Sequence, residues 1–207
     1  MILAQIGCYV PASKCVLTPV DRIFTRLGAS DRILEGKSTF FVEMEETNSI
    51  LKFATFKSLA IVDELGRGTS TFDGFSIACA VLRYLVDNIA CRSLFSTHYH
   101  MLLEQFRNVP GVRSYHMACK AFRKSEELND NDDSTSSPGE DCDRITFLYK
   151  FVEGECPRSF GMNVAHMAGL PPSVMQLAKS KSLEFNQKMS LMMKQGKSDS
   201  VIRAAAN

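Results

Sequence analysis

Between Leu59 and Gly74 the chain reads Leu-Ala-Ile-Val-Asp-Glu-Leu-Gly-Arg-Gly-Thr-Ser-Thr-Phe-Asp-Gly. A short apolar run ends in two adjacent carboxylates and breaks into a Gly/Thr/Ser turn. An unbroken apolar run suits a strand buried on both faces, as in parallel sheets covered by helices. Such a strand delivers Asp63 and Glu64 to the carboxyl edge of an α/β sheet, where ligands bind. One carboxylate can hold Mg²⁺ through water while its neighbour orients or deprotonates an attacking water, the division of labour used in ATP hydrolysis. A matching phosphate-holding loop is expected upstream, and the sequence contains none.

The 207 residues suffice for one large domain, or a domain with an appendage, and a real core. Lys and Arg number 24 against 23 Asp and Glu, a net charge of +1, so no bulk electrostatics advertises nucleic acid or an anionic membrane. Seven cysteines are scattered and never spaced Cys-x-x-Cys, which argues against a disulfide framework and a structural zinc site. That usage fits a reducing compartment. No apolar run reaches the length of a membrane span.

Met1–Val10 reads as the end of a buried helix closed by Pro11, as if the chain opened inside an element. Cys15–Leu17 and Arg22–Leu27 read as short strands. A helix is predicted from Ser38/Thr39 to about Ala54, capped by Ser38 or Thr39, with Glu43, Glu45 and Glu46 in its early turns. After the Leu59–Glu64 strand, apolar residues at Phe75, Ala78, Cys79, Leu82, Leu85 and Val86 have helical spacing over Phe72–Asn88. Arg92–Thr97 follows as a second parallel strand, ending at His98. Val112–Cys119 and Ile145–Val152 read as an antiparallel pair around a polar, acidic, disordered insertion over Lys124–Asp143. Two short helices, Ser159–Ala168 and Pro172–Asn186, close the fold before a frayed tail beyond about Met189.

Glu35-Gly-Lys-Ser-Thr39 imitates the end of a phosphate loop. The full pattern calls for glycine at position 31, where the chain has Asp31, and for a buried strand leading in, where Ser30–Glu35 is mixed and polar. A helix N-terminus bearing Ser38 and Thr39 can still meet phosphate from outside. The acids Asp63 and Glu64 favour the catalytic reading over simple capping, because two charges at the end of a buried strand need a partner such as a metal or arginine. Arg67 fits either an ion pair or a phosphate contact. His98 and His100 lack a third ligand and make a weak metal pair. If the two strands run parallel, His98 sits beside the acids, able to sense or stabilise a terminal phosphate. His116 and His166 read as ordinary structural histidines.

Ser38-Thr-Phe-Phe-Val-Glu43, Asp63-Glu-Leu-Gly-Arg-Gly-Thr-Ser-Thr-Phe-Asp-Gly74, Ser96-Thr-His-Tyr99, Ser159-Phe-Gly161 and Ala168-Gly-Leu-Pro171 together resemble the MutS family of DNA mismatch-repair ATPases. Gln5–Ala12, Thr25–Ile33 and His116–Cys119 look most like the sixth eukaryotic MutS homologue, the larger, mispair-contacting subunit of a nuclear heterodimer. The resemblance implies an α/β fold: an ABC-type, P-loop NTPase-like parallel sheet with two ATP sites across a subunit interface. Carried over by position, Asp63 is the Mg²⁺-side carboxylate, Glu64 polarises the attacking water, and His98 lies near the γ-phosphate. Ser38 reaches the nucleotide held by the opposite subunit, and the loop of Thr69, Ser70, Thr71 and Asp73 crosses between the sites. The family's Gly-Pro-Asn-Met-Gly-Gly-Lys-Ser loop belongs just upstream of Met1, with a strand expected against Arg92–Thr97.

The expected organisation is therefore a partial ATPase domain over 1–158, a helix–turn–helix dimerisation element over 159–188 and a flexible tail over 189–207. ATP and Mg²⁺ are the implied cofactors. Another MutS homologue and, through other domains, mismatched double-stranded DNA are the implied partners, in the nucleus. The isolated chain is expected to hydrolyse little ATP. The alternative is a non-catalytic dimerisation module that completes a partner's ATP site in trans.

Overall fold

The strand that carries the two acids organises the first part of the molecule. In this computed structural model, which describes residues 1–28, 37–122, 144–156, 159–185 and 187–188, β2 spans Leu59–Asp63. It runs between β1 (Ile23–Arg26) and β3 (Arg92–Ser96), all three parallel in the order β1-β2-β3. Ala60 and Val62 of β2 are fully buried, as the unbroken apolar run requires. The register pairs Ile23 with Leu59 on one side and Asp63 with Ser96 on the other. The α/β expectation holds, with a small parallel sheet and crossover helices.

Those crossovers are α2 (Thr39–Phe53) and α3 (Thr71–Tyr84). Ser38 caps α2 by accepting the Phe41 N–H at 3.2 Å. Ser70 caps α3 more completely, because its Oγ accepts the Asp73 N–H at 3.2 Å and donates to the Asp73 carboxylate at 2.8 Å. Gly74, Ala78 and Val81 form the buried stripe of α3. Its continuation, Leu85–Ile89, winds as a π-helical turn ended by Ala90 at φ +54°. The core joins Ile50, Ala60, Val62, Leu65, Ala78, Val81, Leu85, Tyr99, Leu102 and Phe106, the last two on α4 (His100–Phe106).

The chain divides into two compact units, 1–113 and 114–207. In the second, β4 (Tyr115–Phe122) and β5 (Arg144–Glu153) form an antiparallel ribbon with an irregularity between Met117 and Cys119. Helix α5 (Gly161–Met167) and a further helix, α6, over 172–185 follow.

Two expectations fail here. The opening helix is only α1 (Ile2–Gln5), with no buried residue, because its apolar side chains meet no core. Cys15–Leu17 forms no strand, because no neighbouring strand pairs with it among the described residues. The Glu35–Gly36 part of the loop-like motif, the 124–143 insertion and the 189–207 tail lie outside the described residues.

Asp21 ties the start of β1 to the turn before β2. Its carboxylate accepts from Thr55 Oγ1, and from Ser58 Oγ at 2.7 Å. These two hydrogen bonds hold the carboxyl below its ordinary range. A depressed folded value means the contribution is present above the unfolded value, about 3.9, and is lost as pH falls through the lower folded one. Thermal midpoints measured across that acid range should therefore fall less steeply for Asp21→Asn than for the parent. In urea titrations, Leu85→Ala should lower stability by about 2–5 kcal/mol, the usual result of emptying a filled core site.

Candidate functional site

Because β2 and β3 run parallel, their carboxyl ends share one rim of the sheet. Asp63 is the last residue of β2 and faces Ser96, the last of β3, whose hydroxyl donates to Asp63 Oδ1. The Glu64 N–H donates to the Ser96 carbonyl at 3.1 Å, extending the ladder by one rung. Glu64 itself turns out of the strand at φ +48°, a left-handed conformation that is unfavourable for a side chain with a Cβ. Its carboxylate accepts from Arg67 Nη1 at 2.7 Å. Arg67 is thus an ion-pair partner of the acid. Both side chains are solvent-accessible, so the pair adds little stability.

The loop after Glu64 is fixed from both sides. The Gly66 N–H donates to Glu43 Oε1 at 2.6 Å, and the Gly66 carbonyl accepts from the Tyr99 hydroxyl at 3.1 Å. Glu43 Oε2 lies 3.0 Å from Arg26 Nη2, and both side chains are almost wholly buried. Gly66 (φ +90°) and Gly74 pack backbone to backbone: a Cβ on Gly74 would stand 2.2 Å from the Gly66 carbonyl oxygen and 2.4 Å from the Tyr99 hydroxyl. Gly68 packs against Phe40, the second residue of α2. Burial, reinforced by the Glu43 carboxylate, raises the Tyr99 phenol above its ordinary range, so the hydroxyl keeps the proton it donates to Gly66.

Of the residues singled out by sequence, Asp63, Glu64 and His98 come to one rim. The exposed His98 ring lies against Tyr99 with centroids 4.2 Å apart, and no hydrogen bond joins it to either acid among the described residues. Ser38 sits at the N-cap of α2, away from hydrogen-bonding contact with the acids. In the loop, Ser70 and Asp73 cap α3, Thr71 is its first residue, and Thr69 immediately precedes the cap. Lys37 is engaged with both oxygens of Glu45 at 2.9 Å. No cluster of three metal-ligating side chains occurs among the described residues, and His116 bonds the Gly154 carbonyl through Nδ1. A cavity of about 420 Å³ between α3 and α4, lined by Phe75, Cys79, Arg83 and Gln105, contains none of the predicted site residues.

Sequence reasoning missed Arg26, Glu43 and Tyr99. Glu43 is not a helix-dipole acid: the first turn of α2 holds no acid, and the Glu43 side chain points inward. The available signal was its spacing, since Glu43, Thr47 and Ile50 form one buried stripe on α2. Glu45 and Glu46 instead meet Lys37 and, at 3.8 Å, Arg26 Nε.

Residues 1–186 match the family model described as MutS domain V. The chain belongs to the MutS family. It is 55% identical over 188 residues to the DNA mismatch repair protein Msh6 of Gallus gallus, covering 91% of this chain and 13% of that protein. Identity to Homo sapiens Msh6 is 53% over 186 residues, covering 90% of this chain and 13% of that protein. Identity to MutS of Orientia tsutsugamushi (strain Ikeda) is 44% over 184 residues, covering 89% and 19% respectively. The chain therefore spans only a small part of the length of these relatives. What the chain shares with them is MutS domain V.

The Gly66–Gly74 contact leaves no space for a methyl group. Gly74→Ala should destabilise the protein by about 1–3 kcal/mol, as overpacking does. Denaturant titration checks this, and near-ultraviolet circular dichroism should register displacement of Tyr99.

Proposed function

We propose that this chain is the ATPase segment of a MutS-type mismatch-repair protein, in which ATP binding and hydrolysis are coupled to recognition of mismatched DNA. The observation that carries the reading is the shared rim, where Asp63 and Glu64 end one strand and the adjacent strand leads to His98. Asp63 fits a water-mediated Mg²⁺, because Ser96 engages one carboxylate oxygen and the residue is otherwise exposed. The metal, when bound, neutralises phosphate charge. Glu64 orients the attacking water and accepts its proton, which requires the carboxylate to leave Arg67 or share it. His98 donates to the terminal phosphate.

Ser38 reaches the nucleotide of the opposite subunit, and Thr69, Ser70, Thr71 and Asp73 form the loop crossing between the two sites. The P-loop-like fold is completed by a phosphate-loop strand on the open side of β3, which pairs only with β2 among the described residues. The proposed domains are a partial ATPase domain over 1–158, a helix–turn–helix dimerisation element over 159–188 and a tail over 189–207. Exposed Val174, Leu177, Leu183 and Phe185 on α6 support docking of a second MutS homologue through that element. No helix is long and apolar enough to cross a membrane among the described residues. The nucleus is the compartment in which this work is done.

The chain by itself has no loop for the β and γ phosphates, so it turns over little ATP, and positioning is most of such catalysis. A second reading is favoured by the well-capped α2: Ser38 completes a partner's site in trans while this chain stays catalytically silent. In the native full-length protein with its partner subunit, Glu64→Ala should reduce turnover by about 10²-fold or more with ATP binding retained. Undiminished turnover would overturn the assignment. Mixing this chain with a partner ATPase subunit tests the second reading, since any gain in partner turnover should disappear with Ser38→Ala.

A further inference from the structure

The acid proposed to activate water stands two residues before a glycine whose N–H and carbonyl are gripped from opposite sides. Glu43 holds the Gly66 N–H at 2.6 Å from α2, and Tyr99 holds the Gly66 carbonyl at 3.1 Å from the end of the β3–α4 connection. Neither grip is incidental. Glu43 is buried with its other oxygen on Arg26, and the Tyr99 hydroxyl occupies a space that exists because residue 74 is glycine. Tyr99 also packs edge-on against Phe75 at 5.9 Å and lies under the His98 ring. Gly66 is therefore the residue at which β1, α2, the acid loop and the histidine-bearing connection meet through hydrogen bonds and ring contacts.

From this geometry we infer that Glu43 and Tyr99 are positioning residues for the proposed hydrolysis, setting the place of Glu64 and the orientation of His98 through Gly66. The inference rests on the role proposed for Glu64. Glu64 sits in a left-handed conformation and its carboxylate has only an exposed arginine as partner among the described residues. Beyond the Ser96 rung at its N–H, its placement therefore depends on the backbone that follows it. That backbone is set by the two bonds to Gly66. Tyr99 adds a second constraint, because the same ring that donates to Gly66 supports His98. Displacements of about 1 Å in a reacting group lower rates by up to about 10²-fold, so loss of one grip is felt in kcat. Neither residue touches substrate, so KM for ATP is not the parameter that moves.

The test uses the native full-length protein with its partner subunit and four variants: Tyr99→Phe, which removes only the hydroxyl, Glu43→Gln, which keeps an acceptor for Gly66, Glu43→Ala, which removes it, and Glu64→Ala. Tyr99→Phe should lower kcat by about 10-fold with KM for ATP within twofold. Amide hydrogen exchange over 64–70 should rise in the same variant while the remainder of the sheet stays protected. Glu43→Gln should retain more turnover than Glu43→Ala at equal folded fraction. If Glu43→Ala does not fold, Tyr99→Phe alone decides. Turnover lost in Glu64→Ala but kept within twofold in Tyr99→Phe, with unchanged exchange over 64–70, overturns the positioning role and leaves the assignment of Glu64 intact. Turnover that survives Glu64→Ala overturns both.

Discussion

A carboxylate with almost no access to water, Glu43, holds the site side of this sheet together. Removing such a group from water is expensive, and the charge must be met by partners at hand. Arg26 meets one oxygen and the Gly66 N–H the other. Arg26 is in turn under-satisfied, since its Nε and Nη1 are buried without a hydrogen-bond partner among the described residues. Breaking a buried pair of this kind by removing one member typically costs about 3–5 kcal/mol. The arrangement therefore specifies geometry more than it adds stability. It locks α2 to β1 and to the loop behind the acids, using two side chains and one glycine N–H.

What could be read directly were the elements whose pattern is local. The Leu59–Glu64 strand announced itself by an apolar run ending in charge, α3 by its helical spacing, and β3 by following at crossover length. The rim that collects Asp63, Glu64 and His98 follows from parallel pairing alone. The start of α2 at Ser38 was equally legible, because the cap lies within three residues of its partner. The family motifs are the source of the roles proposed for these positions.

The remainder was invisible for a physical reason: it depends on pairs far apart in sequence. Glu43 meets Gly66 and Arg26, and Tyr99 reaches back to Gly66 across the entire α3 crossover. A glutamate among other helix acids looks solvated until its face is known. The opening apolar residues fail in the opposite sense, since hydrophobicity predicts burial only where a partner surface exists, and α1 has none among the described residues. The π-turn at Leu85–Ile89 likewise has no sequence mark of its own, although helical spacing alone puts Leu85 on the apolar face that the core covers.

The left-handed backbone at Glu64 separates two neighbours that sequence alone would treat as a unit. The Asp63 carboxylate takes its hydrogen bond from a serine on the adjoining strand, whereas Glu64 keeps one last rung to that strand through its N–H while its carboxylate turns away and pairs within its own loop. Consecutive carboxylates thus inherit different mechanical references, one tied to the rigid frame and the other to a short, glycine-rich arc. Any movement of that arc is transmitted to the second acid while the first keeps its station.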